Sequence, residues 1–274
     1  SRHPALAQFP NEGCTTPQWW KIVTDTKLAI LDEQKLTPVV SMIDNFGRNH
    51  KLGLIDFQLE SGINALVAVG TTGESATLTP AERNEIIRFT VERVNGRVPV
   101  IAGTGTNNTL HALEYSKTAC QIGADALLVV TPYYNYNKSL DSGLLAHFRT
   151  IADNVDKPII LYNVPSRTGC NLLPATIEKL AEHPNIAAVK EASGNMSQVV
   201  ELFARCGDKI DVYSGEDGLT VPMLAMGGMG TISVLSNVIP QGAVEMTDAF
   251  FAGDLRKAAA LQCRYLDLIN LLFC

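Results

Sequence analysis

Lys190 is the residue of this sequence whose position most directly suggests chemistry. It ends a short apolar run within NIAAVKEASG, residues 185–194, and a turn containing Ser193 and Gly194 follows. An isolated lysine at a strand end usually covers apolar surface with its stem and leaves its ammonium group in water. If the strand end is enclosed instead, desolvation lowers the pKa of the amine, and the neutral amine can attack a carbonyl carbon. The residues that end the other apolar runs decide between these interpretations.

The other apolar runs end mostly in hydroxyl groups. The residues at or just after the run ends are Thr71, Thr72, Thr104, Tyr133, Tyr134, Tyr162, Lys190, Gly215, Glu216 and Ser233. One lysine among hydroxyls, without a cluster of histidines or carboxylates, is a poor metal site and a poor Ser-His-Asp site. It suits a keto acid, because a Schiff base between lysine and the keto carbon is an electron sink that stabilises an enamine. The sequence therefore predicts carbonyl chemistry with no metal.

Several of these residues allow a second interpretation. Tyr162, beside the strand of Lys190, is either part of the catalytic group or a core ring with a satisfied hydroxyl. Arg167, in YNVPSRTG, is either a solvated loop cation or a bidentate ligand for a substrate carboxylate. None of the five histidines has a metal-ligand spacing with another, and His147 and His183 are predicted to lie on helix surfaces.

Short apolar runs alternate with amphipathic helical patterns from about residue 54 onwards. The seven candidate strands are NALVAVG, VPVIAG, ADALLVVTP, KPIILYN, NIAAVKEASG, IDVYSG and GMGTISV. The helical pattern TPAERNEIIRFTVERV begins with Thr79 as its N-cap, Pro80 at its first position and Glu82 in its first turn. Strict alternation predicts a parallel sheet, and seven evenly spaced units with an eighth favour a closed (β/α)8 TIM barrel over an open sheet. In this barrel the active site lies at the carboxyl ends of the strands, where the polar residues above would meet.

The two ends of the chain fit the barrel pattern less well. Residues 1–26 are interpreted as an irregular N-terminal extension, and residues 27–274 as the barrel ending in a C-terminal helix. The candidate first strand, in LDEQKLTPVVSMIDNFG, is interrupted by DEQK, and charges inside a closed barrel would be costly. The segment DLRKAAALQCRYLDLINLLFC is predicted to form one amphipathic helix that reaches the chain end without a cap.

Composition excludes several classes of function. The chain has 274 residues, of which 46% are hydrophobic and 18% charged, and its net charge is −6. It contains no basic run that would follow phosphates, so a nucleic-acid partner is not expected. Six cysteines without a CxxC pair argue against a zinc ribbon and a disulfide framework, and indicate a reducing compartment. The sequence has no apolar run of the roughly 18 residues of a membrane span and no signal-peptide pattern, so a cytoplasmic location without membrane partners is expected.

Six motifs stand in order along the chain, namely GTTGESATLT, GTGTNNT, TPYYN, YNVPSRTG, VKEASG and SGED. Together they closely resemble the dihydrodipicolinate synthase family of the class I pyruvate-dependent aldolases, and the resemblance covers roughly residues 54–273. It implies a (β/α)8 barrel in which Lys190 forms a Schiff base with pyruvate, with no cofactor. The enamine would attack the aldehyde of aspartate 4-semialdehyde and give 4-hydroxy-tetrahydrodipicolinate, on the route to diaminopimelate and lysine.

The resemblance also implies roles for individual residues. Tyr162, Thr71 and Tyr134 would form a proton relay, with Tyr134 reaching across a tight dimer interface into the neighbouring site. Thr72 would hold the pyruvate carboxylate, Arg167 would hold the carboxylate of the aldehyde substrate, and the backbone of Gly215 and Ile232 would line the pocket. The implied assembly is a homo-oligomer, either a tight dimer or a tetramer built from two such dimers.

The sequence departs from the family in its ends and in one pocket. The first strand lacks the family's apolar run ending in Thr-Pro-Phe, and the C-terminal helical region is expected to be shortened, with assembly and stability affected. A pocket that binds the inhibitor lysine in some members would correspond to Ser75, Ala76, Asn107, His111 and Tyr133. Because Pro80, Arg83 and His111 replace the histidine or glutamate of lysine-sensitive members, we expect weak inhibition by lysine or none.

Two other functions remain open at this point. The lysine and tyrosine are shared with other pyruvate-dependent aldolases and lyases, such as those acting on N-acetylneuraminate or on keto-deoxy sugar acids. Arg167 in SRTG, the pair Thr71 and Thr72, and the motif TPYYN favour a small dicarboxylate product over a polyol. A catalytically silent barrel that binds a keto acid is the alternative from a different class.

Overall fold

The computed structural model describes residues 48–135 and 140–273, with side chains from residue 53 to 135 and from residue 141 onwards. The chain divides into two units, with the boundary between Leu54 and Ile55. The second unit contains all the strands and nearly all the helices among the described residues. The predicted extension over residues 1–26 and the predicted first strand lie outside the described residues, so the domain boundary at residue 27 stays a prediction.

Seven parallel strands form one sheet, and their order in space is their order in the sequence. They are β1 (Leu66–Ala68), β2 (Val100–Gly103), β3 (Ala126–Val130), β4 (Ile159–Asn163), β5 (Ile186–Glu191), β6 (Asp211–Ser214) and β7 (Gly230–Thr231). Helices follow the strands along the chain, as the βα alternation predicted. The architecture is that of a (β/α)8 barrel, of which the described residues contain seven strands.

Helices lie before, between and after the strands in the described residues. They are α1 (Arg48–Glu60), α2 (Pro80–Val94), α3 (Thr109–Ile122), α4 (Leu140–Ala152), α5 (Pro165–Thr168), α6 (Pro174–Leu180), α7 (Met196–Cys206), α8 (Thr220–Ala225), α9 (Pro240–Phe251), α10 (Leu255–Arg264) and α11 (Leu266–Leu271). The predicted start of α2 is confirmed. The Thr79 side chain accepts a hydrogen bond from the backbone N–H of Glu82, and the Glu82 carboxylate accepts one from the backbone N–H of Thr79. This reciprocal pair satisfies two backbone donors that a helix start would otherwise leave unpaired.

Alternate residues along the strands pack into two clusters on opposite faces of the sheet. In β4, Ile159 and Leu161 belong to the core between sheet and helices, whereas Ile160 and Tyr162 belong to a second cluster on the opposite face of the sheet. Successive strand residues point to opposite faces, so this separation follows from a period of two. The second cluster includes Ala188 of β5, and Lys190 lies two residues further along the same face.

Two sequence predictions are wrong in detail. The last segment is not one helix, because it breaks at Tyr265 into α10 and α11, and the Tyr265 ring packs where a Cβ atom on Gly242 of α9 would lie. His147 is buried rather than on a helix surface, and its Nδ1 forms a 2.9 Å hydrogen bond with the Thr109 hydroxyl. Burial lowers the pKa of His147 to about 4, so the ring is neutral at pH 7. No helix among the described residues is long and apolar enough to cross a membrane.

Candidate active site

The Lys190 side chain is enclosed at the carboxyl end of β5. It is only 7% exposed, and β5 pairs on one side with β4 and on the other with β6. Burial lowers the pKa of Lys190 from 10.5 to about 8, while the charge of Asp217 raises it and that of Arg167 lowers it further. An appreciable fraction of this amine is therefore neutral near pH 8, and a neutral amine is the nucleophile that Schiff-base formation requires. The interpretation of Lys190 as a solvated strand-end cation is wrong.

Tyr162 lies directly beside Lys190 in the sheet. The two residues are register partners of β4 and β5, and the Lys190 Nζ is 4.3 Å from the centre of the Tyr162 ring. The Thr71 hydroxyl donates a long hydrogen bond of 3.5 Å to the Tyr162 hydroxyl. Burial raises the pKa of Tyr162, which keeps the phenol protonated and able to give up a proton only to a close acceptor. The structure thus brings Lys190, Tyr162 and Thr71 together.

The turn that carries Thr71 has an unusual backbone. Val69, just after β1, has φ of 58°, which is rare for a β-branched residue, and a short 3₁₀ helix over Thr71–Gly73 follows. The carbonyl oxygen of Val69 lies where a Cβ atom on Gly103 of β2 would be, at 2.1 Å. The glycine therefore lets the turn pack tightly against β2, which fixes Thr71 above the sheet. Thr72, one residue further, is exposed.

Gly215 and Ile232 follow β6 and β7 at the same edge of the sheet. The backbone N–H of Gly215 donates to the Glu191 carbonyl, and that of Ile232 donates to the Ser214 carbonyl, both at 2.8 Å. Because both N–H groups already donate to carbonyl oxygens of neighbouring strands, neither is free to donate to a ligand, and the predicted role of the two residues in the pocket wall stays a prediction.

Arg167 reaches the site from α5, the short helix that follows β4. Its side chain is exposed and its guanidinium carbon lies 5.5 Å from the centre of the Phe273 ring near the C-terminus. The charge of Arg167 lowers the pKa of both Lys190 and Tyr162, so the guanidinium is close enough to act on each of them. An exposed guanidinium near a buried amine is suited to a carboxylate on the substrate side of the site.

Tyr133 and Tyr134 are only partly connected to this group. The Tyr133 hydroxyl lies 3.1 Å from the Thr106 hydroxyl, and the two tyrosine rings meet edge to face at 5.8 Å. Tyr134 has φ of 67° and its side chain is 87% exposed. Within one chain its hydroxyl contacts no other member of the predicted relay in the contacts described, so its role stays a prediction.

An arginine of the chain bonds to Ser75, one of the residues of the predicted lysine pocket. The buried Arg83 guanidinium donates hydrogen bonds to the carbonyl oxygens of Ser75 and Gly103, and it stacks 4.4 Å from the centre of the Tyr115 ring. The neighbouring Asn107 carbonyl accepts a hydrogen bond from Asn135. Of the other predicted pocket residues, Ala76 and His111 are exposed and Tyr133 is half-buried.

Sequence reasoning missed three buried residues that support the site. Asp217 accepts hydrogen bonds from the Ser233 hydroxyl and from the backbone N–H groups of Val234 and Leu235, which ties the turns after β6 and β7 together. Glu191 and Asn163 form a second buried pair beside Lys190 and Tyr162. The only sequence signal for this pair was a polar residue after each predicted catalytic residue in an apolar strand. In the part of the chain that the structure describes, no three His, Cys, Asp or Glu side chains form a group that could hold a metal ion.

The fold and this site define the chain as an α/β-barrel protein with an enclosed lysine of lowered pKa at the carboxyl ends of its strands. The sequence pattern of the dihydrodipicolinate synthetase family matches residues 36–274. The chain belongs to this family.

Individual relatives agree with this assignment. The chain is 51% identical over 220 residues to the 4-hydroxy-tetrahydrodipicolinate synthase of Geobacter sulfurreducens, which covers 80% of this chain and 75% of the relative. The crystal structure of dihydrodipicolinate synthase from Aquifex aeolicus superposes with a TM-score of 0.78 at 44% identity, covering 81% of this chain and 75% of that one. A structure described as the first monomeric dihydrodipicolinate synthase variant superposes with a TM-score of 0.79 at 40% identity over the same shares.

Proposed function

We propose that this chain condenses pyruvate with L-aspartate 4-semialdehyde and forms 4-hydroxy-tetrahydrodipicolinate, the reaction of the diaminopimelate and lysine pathway. Its relatives carry the name of this activity, and the enclosed Lys190 with its lowered pKa is the observation that supports it most directly. The proposed enzyme is a lyase that needs no cofactor, because the Schiff base on Lys190 is itself the electron sink.

The proposed reaction proceeds through a series of intermediates that are covalently attached to Lys190. The neutral Lys190 amine adds to the keto carbon of pyruvate, and loss of water gives an iminium ion. Loss of a methyl proton converts the iminium to an enamine, whose terminal carbon attacks the aldehyde carbon and forms the new C–C bond. The amino group of the former semialdehyde then adds to the keto-derived carbon, closes the ring and releases Lys190 with its amine restored. A proton must be moved at each of these steps.

Tyr162, Thr71 and Tyr134 are the proposed proton relay. Support for the first two comes from the placement of the Tyr162 ring over the Lys190 amine and from the hydrogen bond between Thr71 and Tyr162. Tyr134 is assigned to the relay of a neighbouring copy, in keeping with its exposed side chain and its constrained backbone.

The two substrate carboxylates are assigned to different groups. Thr72 is proposed to hold the carboxylate of pyruvate through its hydroxyl and the adjacent turn, and Arg167 to hold the carboxylate of the aldehyde substrate as a bidentate ligand. The backbone of Gly215 and Ile232 would form the wall of the pocket behind Lys190.

We place the working enzyme in a homo-oligomer, either a tight dimer or a tetramer, in the cytoplasm. Exposed apolar side chains, including Leu110 and Tyr134, are suited to contact with a second copy. Among the described cysteines, Cys120, Cys170, Cys206 and Cys263 are free thiols, which fits a reducing compartment. Sedimentation of the purified chain tests the assembly, and a purely monomeric enzyme with full activity would contradict the role given to Tyr134.

Inhibition by lysine is proposed to be weak or absent. Of the proposed pocket residues Ser75, Ala76, Asn107, His111 and Tyr133, Ser75 accepts a hydrogen bond from the buried Arg83 guanidinium, whose positive charge disfavours a second cation such as the lysine side chain. Initial rates measured with rising lysine concentration test this proposal. A sub-millimolar inhibition constant would contradict it.

The choice of aldehyde separates the proposed reaction from its alternatives. Purified chain is given pyruvate with either aspartate semialdehyde or N-acetylmannosamine, and the products are identified by mass spectrometry. We expect turnover with aspartate semialdehyde only, and the Arg167→Gln variant should raise its KM while binding of pyruvate is kept. Turnover of the amino sugar would identify a sugar-acid lyase, and binding of pyruvate without any turnover would identify a silent barrel.

A further inference from the structure

A second pair of polar residues accompanies Lys190 and Tyr162 in the sheet. Asn163 follows Tyr162 in β4 and Glu191 follows Lys190 in β5, and Asn163 and Glu191 are themselves register partners. Because successive strand residues point to opposite faces, this second pair lies on the helix side of the sheet, behind the pair that faces the site. Glu191 is 1% exposed and Asn163 is fully buried.

In the hydrogen bonds of this pair, the surrounding groups fix which atom donates and which accepts. The backbone N–H of Leu172 donates to the Asn163 Oδ1 at 2.8 Å, so the amide nitrogen of Asn163 must face Glu191. That nitrogen donates to the Glu191 Oε2 at 2.9 Å, and the backbone N–H of Ser193 donates to the Glu191 Oε1 at 2.6 Å. Both carboxylate oxygens therefore accept from groups that can only donate, and Glu191 has no cationic partner among these contacts.

The same network extends to the loop that follows Arg167 and to the next helix. The Asn163 amide nitrogen also donates to the Asn171 Oδ1 at 2.9 Å, and Asn171 exchanges two hydrogen bonds with Gln198 of α7. Asn163 thus joins β4 to β5 and to the segment that follows α5, and through Asn171 it also connects to α7. Displacing it would move the strand ends that carry Tyr162 and Lys190 together with the segment that follows Arg167.

We propose that Glu191 and Asn163 are positioning residues, which hold Lys190 and Tyr162 in the relative geometry that carbonyl addition needs. This inference rests on the proposed function of Lys190 and adds the groups that set its geometry. A buried carboxylate is costly unless its oxygens are paired, and a hydrophobic pair could join two strands at lower cost. The polar pair instead fixes one register, because a slip of the strands would leave the carboxylate without its donors.

The test changes which side chain of the pair donates and which accepts. In Glu191→Gln the new amide nitrogen must face either Ser193 N–H or the Asn163 amide, so donor meets donor. In Asn163→Asp two carboxyl groups face each other. In the double variant, the amide at position 191 donates to the carboxylate at position 163, while the side-chain amides of Asn171 and Gln198 can rotate to restore their bonds. The double variant should therefore recover what each single variant loses.

The measured quantity is the rate constant for adduct formation with pyruvate, trapped by borohydride at pH 8, alongside kcat for condensation. We expect each single variant to lose about 10-fold to 100-fold in both, since misplacement of a reacting group by about 1 Å costs on that scale. The double variant should return to within about threefold of the wild type. KM for pyruvate should change much less than kcat.

A matched control lies at the other end of the same strand. The Asn185 side chain, just before β5, donates to the carbonyl oxygens of Ala152 and Val155, so Asn185→Ala also removes partly buried hydrogen bonds that anchor β5. It should lower the melting temperature and leave the trapping rate unchanged. Single variants that lose stability but keep the wild-type trapping rate, or a double variant that recovers nothing, would overturn the inference. Failure of the wild type to form an adduct would instead overturn the function proposed for Lys190.

Discussion

Gly215 has no side chain, and the Lys190 side chain occupies the space that a side chain at residue 215 would need. A Cβ atom at residue 215 would lie 2.8 Å from both the Cγ and the Cε of Lys190 and 2.9 Å from the Cβ of Ala192. Real side chains do not approach each other this closely without a shift. The glycine after β6 and the lysine of β5 are therefore a matched pair, and the stem of the lysine has little freedom to choose another rotamer.

This relationship predicts that Gly215→Ala displaces the Lys190 amine. We expect adduct formation with pyruvate to slow by about 10-fold or more, and stability to fall by about 1–3 kcal/mol, the range for overpacked sites. Gly218→Ala is the control, because an added Cβ there meets only the flexible end of Glu216, at 3.6 Å. Equal trapping rates in Gly215→Ala and Gly218→Ala would contradict the close fit.

The reactivity of Lys190 should depend on pH in a defined direction. The amine reacts only when neutral, and its pKa is about 8, so the rate of adduct formation should rise about tenfold per pH unit below that value and level off above it. Because the charge of Arg167 lowers this pKa, Arg167→Gln should move the midpoint to higher pH. Arg205→Gln, which removes an exposed cation paired with Glu201 and Glu178, should leave the midpoint in place. A midpoint near 10 in the wild type would show that the amine is not desolvated.

Lys190 should also reduce the stability of the folded chain. Its pKa falls from 10.5 in water to about 8 in the fold, so the folded state disfavours the charged form that the unfolded chain keeps. Each tenfold change in the ionisation constant corresponds to about 1.4 kcal/mol, so below pH 8 the shifted pKa lowers the free energy of unfolding by about 3 kcal/mol. Between pH 8 and about 10.5 the unfolded state binds more protons than the folded state, so the cost disappears as pH rises. Lys190→Met should therefore stabilise the chain by about 2–3 kcal/mol at pH 7 and much less at pH 10, measured by urea unfolding at one protein concentration. A loss of stability at pH 7 would contradict the burial of a charged amine.

Tyr162 and Tyr213 provide a comparison between the two neighbours of Lys190 in the sheet. Both residues are register partners of Lys190, but only the Tyr162 hydroxyl bonds to Thr71. We expect Tyr162→Phe to lower kcat by about 100-fold or more, the usual size of a lost acid–base group, because the ring remains and the proton carrier is removed. Tyr213→Phe should change kcat by no more than about threefold. Similar effects of the two substitutions would show that packing against Lys190, rather than proton transfer, explains the tyrosines.

The sequence carried enough information to predict the strand order and the lysine, and physical reasons explain what it did not reveal. Apolar runs ending in polar residues at regular spacing located β1 to β7 and placed Lys190, Tyr162 and Thr71 at one edge of the sheet. The buried Asn163 and Glu191 could not be recognised, since a polar residue after a strand looks the same whether it meets water or a buried partner. Only the register of β4 against β5 reveals that the two side chains meet.

The errors on the helices have a similar cause. The sequence pattern places His147 on a helix surface, but α4 carries it against Thr109 at the start of α3, a contact that depends on how two helices pack. The break at Tyr265 depends on the packing of its ring against Gly242 of α9. In both cases the local sequence pattern correctly predicted a helix, but tertiary contacts determined which of its residues are buried and where it breaks.

Trapping of the Schiff base tests the central claim most directly. The chain is incubated with pyruvate, reduced with borohydride and digested, and the peptides are searched by mass spectrometry for a pyruvate-derived mass increase. The account predicts one modified site, Lys190, and no adduct in Lys190→Met. A folded wild-type protein that carries no adduct on Lys190, or one modified equally at an exposed lysine such as Lys209, would contradict it.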